Sequence, residues 1–285
     1  MSAVPVVAPV IRPAGRRVHL RPQTGWQPIH FGELWHYREL LWILALRDVK
    51  VRYKQTVLGV TWALIQPFLQ MILFVAVFAK NGFSTDGVAA PVFYFSGLLP
   101  WLLFSNSLTT AGNSLINNQH LITKVYFPRL VIPIAAIITA LIDFAISFAL
   151  LIALMAWYRV PPTSSILLLP VFILLAMLAA LAVGLWLSAL NVQYRDVRYV
   201  LGFLVQFWLF ATPVIYPASM VKTHWRRIVL GINPMSGVVE GFRWTMYGKP
   251  APGPMTLVSV ITIFALLIGG LFYFRRMEKT FADLI

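Results

Sequence analysis

Six apolar segments, each long enough to cross a bilayer and together holding a single Asp, Glu, Lys, Arg or His, leave this chain few folds to adopt: Val57–Ala79, Val92–Ala111, Leu130–Trp157, Ile166–Leu190, Tyr199–Tyr216 and Thr256–Phe274. A helix rises about 1.5 Å per residue, so some twenty apolar residues match a hydrocarbon layer of roughly 30 Å. Lipid offers no partner to a peptide group, so apolar runs of this length satisfy their own backbone as helices. Composition agrees: with 59% hydrophobic and 11% charged residues among 285, no single soluble core could hide the apolar side chains. The predicted fold class is an all-α membrane protein with six transmembrane helices.

Orientation follows from the basic residues. Arg47, Lys50, Arg52 and Lys54 run directly into the first span, which places that end on the cytoplasmic side, and six crossings then put both termini inside. On this topology sixteen of the 23 Lys and Arg lie inside. The exception is the segment between the fifth and sixth spans, which holds Lys222, Arg226, Arg227, Arg243 and Lys249. A formal net charge of +14 invites a nucleic-acid partner, but the basic residues flank apolar spans and form no basic face. Anionic membrane lipids account for them, and no nucleic acid is expected.

The regions between spans divide the chain. Residues 1–30, rich in Pro and Arg, read as a flexible cytoplasmic tail. Residues 31–56 hold the apolar stretch Leu40–Leu46 and then turn basic; Val49, Val51 and Tyr53 alternate as a strand would, yet the length of the first half predicts a helix at the interface. Residues 57–285 form the transmembrane domain. Within it, Ser114–Lys124 sets Leu115, Ile116, Leu121 and Ile122 among Asn117, Asn118, Gln119 and His120, a short amphipathic cytoplasmic helix that is either a plain connector or a docking element for a partner groove. On the outer side, Ile228–Ile232 and Val238–Tyr247 are apolar but too short to span. They read either as re-entrant helices forming a gate or as an amphipathic hairpin lying at the headgroups.

Several chemistries are missing. No Gly-x-x-x-x-Gly-Lys-Ser/Thr phosphate loop occurs, so nucleotide hydrolysis belongs to another chain. The five histidines are scattered and there is no cysteine, which leaves no metal-ligand spacing and no catalytic candidate. Asp143, the ionisable residue within a span, is either a functional carboxyl or one packed against a neighbouring helix. Aromatic side chains deep in the second and fifth spans, Tyr94, Trp101, Phe104, Phe207 and Phe210, either meet lipid or offer flat faces to sugar rings on a glycan path. Pro67, Pro100, Pro133, Pro170 and Pro213 predict kinks, and Pro213 with Pro217 predicts an early end to the fifth span.

An ordered set of strings resembles the permease subunit of ABC-2 type exporters of polysaccharides, the family that moves O-antigen, capsular polysaccharide and teichoic acid. The strings are Arg52-Tyr53-Lys54 with Thr56, Leu58, Gly59, Trp62 and Pro67; Phe127-Pro128-Arg129; Asn191-Val192-Gln193-Tyr194-Arg195-Asp196; Thr212-Pro213-Val214-Ile215-Tyr216-Pro217; and Asn233-Pro234-Met235 with Arg243. Thr212 departs from the serine common in that family but keeps the hydroxyl. The resemblance implies a homodimer around a channel in the bacterial cytoplasmic membrane. It implies two soluble ATPase subunits beneath, which carry ATP and Mg, and a lipid-linked polysaccharide as cargo. It assigns ATPase coupling to Ser114, Asn117, Asn118, Gln119, His120 and Lys124, with Tyr194, Arg195 and Asp196 nearby. An interfacial gate helix would hold Arg47, Lys50, Arg52 and Tyr53, and an outer gate would hold Thr212, Pro213, Tyr216, Pro217, Asn233, Pro234 and Arg243. Export of another lipid or amphiphile, or ion-coupled transport resting on Asp143, are the alternatives.

Overall fold

The computed structural model describes residues 31–54, 61–194, 196–221, 223–248 and 253–281, and among these there is no strand. The tail 1–30, the motif residues Thr56, Leu58 and Gly59, and Arg195, Lys222 and Lys249 lie outside the described residues. The chain runs α1 (Phe31–His36), α2 (Arg38–Lys54), α3 (Thr61–Phe74, continued by a π-turn Val75–Ala79), α4 (Ala90–Asn117), α5 (Gln119–Lys124), α6 (Val131–Trp157), α7 (Leu169–Gln193), α8 (Val197–Ala211), α9 (His224–Leu230), α10 (Pro234–Tyr247) and α11 (Pro254–Met277).

At the centre stands α4, packed on α3, α6, α7 and α10, with α11 behind α7. Helices in lipid gain little from the hydrophobic effect and associate by close packing, which small side chains permit. α7 supplies Ala176, Ala179, Ala180, Ala182 and Ala189, all fully buried, so its backbone comes close to its neighbours. Most of the buried apolar side chains form one cluster around Phe93, Phe95, Leu98 and Phe104. A second cluster joins Leu44 and Ala45 of α2 to Phe127, Leu130 and Phe274.

Among the described residues, four helical stretches are both long and apolar enough to span: Thr61–Ala79, Val131–Trp157, Ser164–Gln193 and Pro254–Met277. The expected second and fifth spans differ from these in instructive ways. α4 has 28 residues but is diluted by Ser, Thr and Asn, which a helix enclosed by other helices tolerates better than one facing lipid. α8 is apolar but stops after 15 residues at Ala211, because Thr212-Pro213 ends it ahead of the Tyr216 boundary that hydropathy suggested. Pro133 lies in the first turn of α6 and Pro170 in that of α7, where no helical donor is lost; of the five, Pro67 and Pro100 sit in a helix beyond its first turn.

The alternation Val49, Val51, Tyr53 does not interrupt the expected helix: α2 stays helical through Lys54. One local expectation changes. Ser114–Lys124 is not one helix, since Ser114–Asn117 is the last turn of α4, Asn118 turns the chain, and α5 occupies only Gln119–Lys124.

Candidate functional site

Conserving backbone satisfaction past the end of α8 takes an unusual side-chain network. Beyond α8 the chain Thr212–Pro217 is irregular yet almost entirely buried, so its carbonyls need partners away from water. Arg243 of α10, with 0% of its side chain exposed, supplies them: Nη1 donates to the Pro213 carbonyl at 2.7 Å and Nη2 to the Val214 carbonyl at 2.6 Å. Glu240, one turn earlier, stands 3.3 Å from Nη1 and accepts the Ala218 N–H at 2.9 Å. The guanidinium lies 3.9 Å over the ring of Phe93, on α4, a cation–π contact that offsets part of its desolvation.

Asn233 secures the other side of the same turn. Its Oδ1 caps α10 at the Met235 N–H (3.0 Å) and accepts from Trp208 Nε1 (3.0 Å), while its Nδ2 donates to the Ala211 carbonyl (3.1 Å) and Thr212 Oγ1 (2.9 Å). The predicted outer residues Thr212, Pro213, Asn233, Pro234 and Arg243 are thus one assembly. Tyr216 is half-buried beside it and Pro217 is buried. Twelve of the fourteen residues of α10 are buried, whereas a helix lying flat on headgroups would keep one face free. α9 does keep one, exposing Trp225 and Val229.

Where α4 meets α5, Arg47 Nη2 donates to Asn118 Oδ1 at 2.7 Å, tying α2 to that corner. Asn118 Nδ2 in turn donates to the Ser114 carbonyl at 2.9 Å. Ser114 is buried with its hydroxyl on the Ala111 carbonyl, while Asn117, Gln119, His120 and Lys124 are exposed. Tyr194 ends α7 and Asp196 precedes α8, both exposed. Lys50 is exposed on α2.

The other two residues expected in a gate helix converge on α6: Arg52 and Tyr53 both donate to the carboxylate of Asp143. Burial, then the hydrogen bond to Asp143, pushes the Tyr53 hydroxyl up, so it stays a proton donor. A cavity of about 370 Å³ opens beside this triad between α2, α3, α4 and α6.

Sequence reasoning missed this cavity and the role of Glu240. The Glu240-x-x-Arg243 spacing, a charge pair in an otherwise apolar segment, was the available signal for the latter. The aromatic residues divide. Tyr94, Trp101 and Phe104 are packed in the core with at most 2% exposure and present no face to a passage, because the faces of α4 that carry them are covered by other parts of the bundle; Phe207 and Phe210 on α8 are exposed.

Residues 39–247 match the family model described as ABC-2 type transporter. The chain is 33% identical over 250 residues to an O-antigen export system permease protein RfbA of Myxococcus xanthus, covering 86% of this chain and 96% of that protein. It is 26% identical to a Klebsiella pneumoniae protein of the same name (87% and 95% covered), and 28% identical to the polysialic acid transport protein KpsM of Escherichia coli (82% and 92%).

Proposed function

Because this chain belongs to the ABC-2 type transporter family, we propose that it is the membrane subunit of an ATP-driven exporter of a lipid-linked polysaccharide. Two copies enclose the path, and two soluble ATPase subunits holding ATP and Mg drive it from the cytoplasmic side. The reading is carried by similarity that runs nearly end to end along O-antigen export permeases. The chain sits in the bacterial cytoplasmic membrane with both termini inside. α4 and α8 complete six spans, and the buried turn 212–217 extends α8 to the outer surface.

In this scheme the α4–α5 corner, with Gln119, His120 and Lys124 exposed, receives the ATPase stroke, and Tyr194 and Asp196 flank the docking site. Arg47 passes the displacement to α2, the gate helix, and α9 with α10 forms the outer gate as re-entrant elements. Work enters as a change in the relative stability of two packings. The pairing of Asp143 with Arg52 and Tyr53 supports a positioning role for that carboxylate rather than ion coupling.

The test is reconstitution of the chain with its ATPase partner in vesicles. Glycolipid should reach the far leaflet only when both are present and hydrolysis is intact. Transport by the chain alone, or with a hydrolysis-dead partner, refutes the proposal.

A further inference from the structure

The cavity beside Asp143 has a composition that hydrocarbon does not explain. Gln66 on α3 and Asn106 and Thr109 on α4 line it and are exposed, and neither amide makes a side-chain hydrogen bond among the described residues. Asn106 is the seventeenth of 28 residues in α4, and Asp143 the thirteenth of 27 in α6, so both lie near the middle of helices long enough to span. Bare amides facing lipid at that depth are costly and rarely retained. Trp62, 55% exposed, stands one helical turn from Gln66 and completes the rim, while the floor is apolar.

We infer that this cavity is a sugar-ring subsite at the inner half of the export path. A pyranose presents an apolar C–H face and a rim of hydroxyls. The first matches the flat indole of Trp62; the second matches planar amides, a carboxylate and a guanidinium, each able to engage two adjacent hydroxyls. Gln66 and Asn106 supply donors and acceptors, Asp143 has acceptor capacity beyond its two donors, and Arg52 carries N–H groups beyond the one given to Asp143. A volume of 370 Å³ holds one or two rings, not a chain. The site therefore contacts the glycan locally as it enters, and it takes the place of the buried Tyr94, Trp101 and Phe104 as the cargo-facing surface. This inference rests on the export reading and adds the site and the chemistry to it.

The chain has no native cysteine, so one introduced thiol reports its own surroundings. Asn106→Cys and, as a lipid-facing control, Leu69→Cys are to be reconstituted in the complete transporter and treated with a charged, water-borne methanethiosulfonate. Asn106→Cys should react at least tenfold faster than the control. Adding total glycolipid from cells that carry the system should slow it at least fivefold, and extract from cells blocked in glycan synthesis should not. Reaction without protection means water alone fills the cavity, and no reaction means lipid or a second copy covers it; either result overturns the subsite. Asn106→Leu should lower export about tenfold at equal membrane abundance and Asn106→Ser should restore it, whereas a lipid-facing position would accept leucine without loss. Polysaccharide reaching the cell surface in the absence of the chain would sink the export reading itself. Unprotected thiol with chain-dependent export intact sinks only the subsite.

Discussion

A methyl carbon placed on Gly97 would lie 2.3 Å from Nη2 of Arg243, so the absence of a side chain at one position on α4 is what lets the guanidinium of α10 fit. The arginine cannot swing aside, because the same nitrogen is committed to the Val214 carbonyl. Gly97→Ala should therefore lower stability by about 1–3 kcal/mol. Arg243→Ala should cost more, about 3–5 kcal/mol, since it strands Glu240 and two backbone carbonyls. Thermal unfolding of the detergent-solubilised protein checks both; equal stability to wild type in Arg243→Ala would contradict the network.

Asn233 has four polar partners, and removing them tests whether α8 and α10 share one joint. Asn233→Ala should cost about 1–2 kcal/mol through the lost cap alone and should also free Trp208, visible as a shift in tryptophan emission. Thr212→Ser keeps the hydroxyl that Asn233 donates to and should leave both readouts unchanged, while Thr212→Val should reproduce part of the Asn233→Ala effect.

Asp143→Leu leaves Arg52 and Tyr53 without their shared acceptor in a partly buried place, at a cost of about 1–3 kcal/mol. Protease cleavage within α2 should quicken in this variant, because α2 loses its hold on α6. Unchanged cleavage would mean that the inner packing of Leu44 and Ala45 suffices.

Arg47→Ala removes an exposed contact and should change stability by less than about 1 kcal/mol. Export should nevertheless fall severalfold while the partner's ATP hydrolysis continues. Export and hydrolysis falling together, with the complex intact, would assign Arg47 to assembly rather than to transmission.

How much of this was legible depends on sequence distance. The helices of the bundle could be read because apolar length is a local property, and Thr212-Pro213 announced the end of α8 two residues after its last turn. The Thr212–Pro217 and Asn233–Pro234 strings were visible as separate features, but their union through Asn233 and Arg243 links positions 21 to 30 residues apart. Arg52 and Asp143 are 91 residues apart, and nothing local in either segment marks the other as its partner. The aromatic residues of α4 misled for a related reason: a ring in a central helix and a ring in a peripheral one look alike until the neighbours are placed.

The two contacts of α2 have a mechanical meaning. Arg47 and Arg52 are five residues apart, about 7.5 Å along the axis and about 140° around it. One reaches the α4–α5 corner and the other the middle of α6, so the rod is pinned from nearly opposite sides, like a cross-beam bolted to two posts. Such a beam cannot slide lengthwise without shearing a bolt, but it can roll, and a thrust against one post arrives at the other as torque.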